Sequence, residues 1–234
     1  MNDYFEVYRE ARGRIVGLVR GCSAEQRART VPGCPRWTVA DTVAHLAAVA
    51  VDVVAGALTG VPGEEHTAAQ VAQRRGSTLE EVIAEWDEAC GQLAGWGSSE
   101  GPIEQALAAR RLPSAMVHDV LTHEADIRGA LEAGRPPDSA WGASLALMLR
   151  HPERLGTVGR LTVRTGPHEF TVGSGEPAAT LEVDPYEFWR AQVGRRSRAQ
   201  MAAWRWSGNP APYLRAIPVF GPTETDLAEP VSPV

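Results

Sequence analysis

The chain has 234 residues, 44% of them hydrophobic and 22% charged, the composition of an ordinary globular protein and the length of one large domain or two small ones. A net charge of −6, with pI near 5.6, excludes the basic balance of a nucleic-acid binder, and no apolar run reaches the ~20 residues of a membrane span. Lysine is absent, all 23 basic side chains being Arg, so a Schiff-base lysine, a pyridoxal-phosphate anchor and a Walker-type phosphate loop are excluded together.

The opening residues, Met1-Asn2-Asp3-Tyr4-Phe5-Glu6, carry neither the basic nor the apolar region of a secretory leader, so the expected location is cytoplasmic. Residues 3–20 then place Phe5, Tyr8, Ile15, Leu18 and Val19 at helical spacing, with Gly21 as the expected stop. Pro32-Gly33-Cys34-Pro35 reads as a turn-rich break. Thr38 opens a second helix, with Asp41 three residues on in a variant of the capping box, and the helix runs through His45 to about Ala57. A loop at Thr59-Gly60-Val61-Pro62-Gly63 follows. Ser77-Thr78-Leu79-Glu80-Glu81 starts a third helix striped by Leu79, Val82, Ile83, Trp86 and Leu93. Pro113 sits where a first-turn proline belongs, opening a fourth helix to Glu132 that Gly134 and Pro136-Pro137 end. Four long amphipathic helices predict an antiparallel bundle.

After residue 155 the period changes. Leu161–Thr165, Glu169–Val172 and Ala179–Val183 alternate with period two between Gly/Pro/Ser turns and read as strands. Residues 185–190 and 197–204 return to helix. The fold class is therefore α+β, with a helical domain over 1–150 and a C-terminal α/β domain over 151–234. The boundary lies within Gly134–Pro152, and a short helix at 138–150 either closes the bundle or bridges to the second domain. The tail from Gly221 is rich in proline and reads as an extended arm.

Cys22, Cys34 and Cys90 are odd in number and lack Cys-x-x-Cys spacing, which excludes a disulfide framework and a zinc ribbon and leaves small buried or half-buried thiols. The fourth helix carries the chemistry. Its apolar stripe runs Leu112, Met116, Asp119, His123, Ile127, Ala130, with two ionisable residues where patterning asks for Leu or Val. A buried carboxylate must have a partner. Asp119 and His123, four residues apart on one face, are either an ion pair inside the bundle core or two ligands of one metal ion. His45, on the apolar second helix, is either a satisfied core histidine or a third ligand. Two His and one carboxylate, with a position left for water or substrate, make the donor count of a catalytic zinc site. His66, His151 and His168 lie in loop or turn contexts. The other dense feature, Gly194-Arg195-Arg196-Ser197-Arg198-Ala199-Gln200, is either a carboxylate clamp at a helix start or a solvated face paired with Glu182, Asp184 and Glu187.

Three segments, taken together, resemble one family. Cys34-Pro35-Arg36-Trp37-Thr38-Val39-Ala40-Asp41-Thr42-Val43-Ala44-His45-Leu46 is similar to the "cpgWtvrdvvaHl" segment of the mycothiol-dependent maleylpyruvate isomerase family. His118-Asp119-Val120-Leu121-Thr122-His123-Glu124-Ala125-Asp126-Ile127-Arg128 resembles its "HEvlvHgeDiR" segment. Phe188-Trp189-Arg190-Ala191, with Gly194 to Gln200, resembles its "fRa..GRRSraQ" stretch. The resemblance implies a DinB-like four-helix bundle that binds metal, followed by a small α/β domain like that of sterol carrier proteins. It carries the metal ligands onto His45, Asp119 and His123, and the catalytic arginine onto Arg195, with Arg196 as the neighbouring register. It implies zinc or another divalent metal, and mycothiol as thiol cosubstrate. A metal-bound thiolate would add to a small electrophilic substrate while Arg195, from the second domain, holds a carboxylate or a developing enolate. The outcome is cis–trans isomerisation or S-transfer. The expected partners are mycothiol and the electrophile, with no nucleic acid and no membrane, in a monomer or homodimer.

One departure stands at the centre: the family has Glu where this chain has Asp119, so direct coordination needs a closer helix or an intervening water. The alternative reading is a non-catalytic metal-binding or ligand-binding module with a degenerate site. A carrier of apolar ligands would instead need a cavity among Val163, Phe170, Val172, Leu181, Phe188 and Met201.

Overall fold

The computed structural model describes residues 4–58, 62–93, 112–150, 152–155, 159–176 and 178–229. Packing divides the chain into one unit ending at Pro136 and a second spanning Pro137–Glu229. The loop read at Thr59-Gly60-Val61, and His151, lie outside the described residues.

The first unit is helical. α1 (Tyr4–Arg20) buries Tyr8, Ala11, Ile15 and Val19, one face of a 3.6-residue period, and ends at Gly21. A single-turn helix, α2 (Ala24–Arg27), leads to a small antiparallel hairpin, β1 (Thr30–Val31) and β2 (Cys34–Thr38), turned by Pro32-Gly33. The break seen in the sequence is thus the turn of a hairpin whose second strand runs into α3 (Val39–Val54). Thr38 caps α3 as the sequence predicts. Its hydroxyl accepts from the Asp41 amide at 3.1 Å, and the Asp41 carboxylate accepts from the Thr38 amide at 3.0 Å.

Nine consecutive residues of α3, Thr42–Ala50, are buried, so it is the central helix. α4 (Glu64–Arg74), α5 (Leu79–Leu93) and α6 (Leu112–Leu131) all pack against it, while α1 packs chiefly on α6. Polar ties fix these pairings. Glu124 of α6, fully buried, accepts two 2.8 Å hydrogen bonds from the Arg14 guanidinium of α1 and one at 3.1 Å from Arg128. The indole of Trp86 on α5 donates to the Tyr8 hydroxyl at 2.8 Å.

The second unit is a four-stranded sheet with helices on one side. Its strands are β3 (Arg160–Thr165), β4 (His168–Val172), β5 (Ala178–Glu182) and β6 (Arg205–Ser207), in the order β4-β3-β5-β6. β3 pairs parallel with β5, and the other pairs are antiparallel. Along β3, Leu161, Val163 and Thr165 are buried while Arg160 and Arg164 are exposed, the period-two signal read from the sequence. α7 (Asp138–Met148), α8 (Pro185–Gln192) and α9 (Arg198–Ala202) complete the unit. Val163, Leu181, Phe188 and Met201 are fully buried and form its core.

The division between units falls at Pro136, inside the Gly134–Pro152 window read from the change of period, and α7 packs on α8. The Trp189 indole donates to the Ser144 hydroxyl at 2.8 Å and stacks on Trp141 with centroids 6.3 Å apart. The tail also departs from a free extended arm. Residues 221–229 lie along α8 and α9 as a strap: the Thr223 amide donates to the Arg196 carbonyl at 3.2 Å, Ser197 to Asp226, and Gln200 to the Leu227 carbonyl at 2.9 Å. Glu229 pairs with Arg190 and Arg196. Among the described residues, no helix is long and apolar enough to cross a membrane.

Candidate metal centre

α3 and α6 are neighbours in the first unit, and that packing sets His45 against Asp119 and His123. The Nε2 of His45 lies 3.7 Å from Asp119 Oδ2, and the Nε2 of His123 lies 3.5 Å from Asp119 Oδ1. The two imidazoles stand nearly perpendicular, 81°, with centroids 5.3 Å apart. Both nitrogen–oxygen distances are too long for good hydrogen bonds. They lie close to the edge of a tetrahedron, since donors about 2.0–2.2 Å from a zinc ion stand about 3.3–3.6 Å from one another, although each ring faces a different oxygen of Asp119.

Each histidine also uses its Nδ1 in the way a ligand histidine does. His45 Nδ1 lies 3.0 Å from the side-chain oxygen of Gln70, and His123 Nδ1 lies 3.0 Å from Asp126 Oδ2. An Nδ1–H donated outward turns Nε2 inward toward the Asp119 carboxylate, where the neutral ring carries its lone pair. Burial opposes a charge on His123, but hydrogen bonds to Asp126 and Cys34, together with the neighbouring Asp119, outweigh it and push its pKa up to about 10, so a metal entering here would displace the Nε2 proton.

The hairpin strand β2 forms one wall. The Trp37 ring lies 4.7 Å from that of His45 and 6.0 Å from that of His123. The half-buried Cys34 sulfur is 4.0 Å from His123 Nδ1 and 3.8 Å from Asp126 Oδ2. The two histidines are buried, while the Asp119 side chain keeps 31% of its surface exposed and marks the open side. Two neutral nitrogen donors, one carboxylate and an open direction fit a divalent first-row metal of the zinc type.

The structure brings together the three residues singled out in the sequence, His45, Asp119 and His123, but sequence reasoning did not reach the groups behind them. Asp126 stands three residues beyond His123, a spacing that could have flagged it. Gln70 belongs to α4, a helix with only Gln70 and Val71 buried, and nothing in its pattern announces it. The structure does not bring Arg195 into this cluster: it belongs to the second unit, where Gly194, at φ 73°, turns the chain from α8 toward α9. The half-buried Arg195 donates to the Val193 carbonyl at 3.0 Å. Arg196 is 3% exposed and held by Glu187 at 2.6 and 2.8 Å.

Residues 8–128, more than half of the chain and including all three inner donors, match the family model described as mycothiol maleylpyruvate isomerase N-terminal domain. The chain belongs to the mycothiol maleylpyruvate isomerase family. Its fold is also similar to solved structures that share little of its sequence. The crystal structure of a mycothiol-dependent maleylpyruvate isomerase superposes with a TM-score of 0.59 at 14% identity, covering 82% of this chain and 88% of that one. A histidine-to-alanine mutant of a mycothiol-dependent maleylpyruvate isomerase gives 0.55 at the same identity and coverage. At that identity the likeness establishes the α+β fold of the family, a helical N-terminal domain followed by a small sheet domain. No curated protein sequence matches the chain.

Against the glutamate expected of a mycothiol maleylpyruvate isomerase, Asp119 is the shorter acid, yet its two oxygens stand 3.7 and 3.5 Å from the two rings. Asp119→Glu should therefore keep one equivalent of zinc at equal or tighter affinity, measured by competition of the metal-free protein with a chromophoric chelator. Loss of binding would mean that the pocket is built around the shorter acid, and no change in affinity together with full retention in Asp119→Ala would remove Asp119 from the ligand set.

Proposed function

We propose that this chain is a metal- and mycothiol-dependent enzyme in which the thiolate of mycothiol adds to a small electrophilic substrate. His45, Asp119 and His123 would hold the metal, zinc being the ion that suits two imidazoles and one carboxylate. The observation that carries the reading is the convergence of two Nε2 atoms and one carboxylate within the segment that places the chain in its family. A divalent ion there supplies the positive charge that lowers the pKa of a thiol and makes thiolate available at neutral pH.

The chain's own side chains set the conditions for that step. Asp119 brings one negative charge and the histidines bring none, so the donor set leaves a divalent site net positive and attractive to an anion. Trp37 and the buried faces of α3 and α6 exclude water on one side, and Asp119 lies on the side left open. Addition of the thiolate to an activated double bond forms a C–S bond and moves the π electrons onto the substrate's carbonyl as an enolate. Rotation about the new single bond and collapse of the enolate break the C–S bond again, which is cis–trans isomerisation. Protonation of the enolate carbon keeps the thioether, which is S-transfer.

Arg195 takes the role of binding a substrate carboxylate or the enolate oxygen. Arg195 is only half-buried, which favours it over Arg196, buried against Glu187 and Glu229. The test is turnover of an electrophilic probe such as a maleyl compound with mycothiol, with metal content measured alongside. Arg195→Ala should lower the rate by ~10²-fold with unchanged metal content, as removal of an oxyanion donor does. Arg195→Lys should rescue poorly, because an ammonium lacks the planar two-donor fork. Full activity in Arg195→Ala removes it from the mechanism, and absence of any thiol-dependent turnover in the zinc-loaded wild type overturns the enzymatic reading.

A further inference from the structure

Behind His45 runs a polar chain that the proposed reaction does not use. Asp52 lies two turns beyond His45 on α3, and Gln70 lies on α4, which packs against α3. The Gln70 amide nitrogen is 2.6 Å from Asp52 Oδ2, and its oxygen is 3.0 Å from His45 Nδ1. Gln70 is 4% exposed. The same Asp52 oxygen is 2.7 Å from His66 Nε2, whose side chain is 43% exposed and faces solvent.

The donor and acceptor roles along this chain are forced one by one. A carboxylate accepts and cannot donate, so the group of Gln70 facing Asp52 must be its NH₂. The carbonyl of Gln70 then faces His45 and can only accept. His45 Nδ1 must in turn carry the proton, and in the neutral ring Nε2 then carries the lone pair. Without Asp52, nothing in that sequence of bonds would prevent the Gln70 amide from turning over and presenting its NH₂ to His45, which would favour the tautomer with the lone pair on Nδ1, pointing away from Asp119.

We infer that Asp52 and Gln70 are positioning residues that lock His45 into the Nε2-ligating tautomer, the carboxylate orienting the amide and the amide orienting the imidazole. The inference rests on the metal site proposed above and adds to it the device that prepares one of its ligands. His123 is held differently, by direct contact with the Asp126 carboxylate. The two histidines are thus pre-set by two independent devices on opposite sides of the pocket.

The experiment is zinc affinity of the full, metal-free chain by chelator competition, paired with ¹⁵N NMR of the histidine ring nitrogens and with thermal unfolding. Asp52→Asn is nearly isosteric, and Gln70→Ala removes the relay outright. Each should weaken zinc binding by roughly 10- to 100-fold, the usual effect of removing a ligand's outer partner. In metal-free Asp52→Asn the His45 signals should shift from the Nδ1–H form toward a mixture of tautomers. The double variant Asp52→Asn/Gln70→Glu provides the rescue: a carboxylate at 70 accepts both from the Asn NH₂ and from His45 Nδ1–H, and affinity should return to within about threefold of wild type. A purely structural role would lower the unfolding temperature and leave both the tautomer and the affinity unmoved. Affinities of Asp52→Asn and Gln70→Ala within about threefold of wild type overturn the inference. Failure of the wild-type chain itself to take up zinc overturns the metal reading beneath it.

Discussion

His45→Ala and His123→Ala each abolish stoichiometric zinc binding and leave the helical content of the protein unchanged. The wild-type chain should hold one equivalent after removal of free metal, and each variant none. The effect is large because the donor set has three members, so losing one leaves two donors and a hydrated ion that dialysis removes. The fold survives for reasons visible around each ring. α3 keeps its capping box at Thr38 and its buried run from Val43 to Ala50 when His45 is cut back. The Gln70 oxygen loses a donor, a cost of about 1–3 kcal/mol against a total stability of about 5–15 kcal/mol. Metal analysis together with far-ultraviolet circular dichroism decides the matter. One equivalent of zinc retained by the double variant would sink the assignment, and retention in His45→Ala alone would move the site toward Cys34, His123 and Asp126, whose ligand atoms also lie within 4.8 Å of one another.

Of the four long helices, α1 and α5 are legible in the sequence because each buries one stripe, whereas α3 and α6, buried all round through their middles, are marked by the Thr38 cap and by Pro113 at the first turn. α1 repeats its signal at Tyr8, Ala11, Ile15 and Val19, and α5 at Val82, Ile83, Trp86, Ala89, Cys90 and Leu93. α4 is not legible for the same reason in reverse: two buried residues in eleven give no period to read. The β1–β2 hairpin hides likewise, its first strand being only Thr30-Val31 and its turn looking like any Pro-Gly linker. The inner donors stand out because Asp119 and His123 interrupt an apolar stripe, and a polar group in such a place has to be satisfied. Asp126 satisfies His123 from three residues along the same helix, but the other partners come from elsewhere in the fold. Gln70 meets His45 across twenty-five positions of sequence, and Cys34 meets His123 across eighty-nine. No local pattern encodes such distant meetings.

In the second unit the alternation of β3 and β5 is plain because one face of the sheet is covered and the other is exposed. β6, three residues with only Trp206 half-buried, is too short to alternate. The placement of α7 was undecidable from its own residues, which are apolar around most of the helix: Trp141, Ser144 and Leu145 could have packed on either unit. Trp189 of α8 decides it by accepting Ser144 as its indole's partner. The tail misleads for a different reason. Prolines do forbid regular structure there, but Thr223, Asp226, Leu227 and Glu229 carry the groups that satisfy the Arg196 carbonyl, Ser197, Gln200 and the buried arginines. An irregular backbone with specific partners reads in sequence as a free arm.

That strap gives the second large effect: Glu229→Ala should destabilise the second unit by about 3–5 kcal/mol, the usual cost of breaking a buried ion pair from one side. Arg190 and Arg196 keep only 1% and 4% of their side-chain surface exposed, and Glu229 13%. The Glu229 carboxylate accepts from Arg190 Nε at 2.9 and 3.1 Å, from Arg190 Nη2, and from Arg196 Nη2 at 3.2 Å. Among the described residues, Glu187 adds a second carboxylate against the two arginines. Removing Glu229 takes a buried carboxylate away from two buried arginines. Arg196 retains Glu187, so the loss falls mainly on Arg190, whose guanidinium is packed over Trp189 and cannot swing to water without opening α8. Glu229→Gln keeps the shape and removes the charge, and should cost most of the same amount. Urea unfolding followed by tryptophan fluorescence measures the change, and hydrogen exchange should show the lost protection in α8 and α9. Zinc stoichiometry should not change, because the candidate ligands found among the described residues lie in the first unit. A shift within about 0.5 kcal/mol, the size of an ordinary surface substitution, would mean that the strap is a surface decoration and that Arg190 is stabilised by its other contacts.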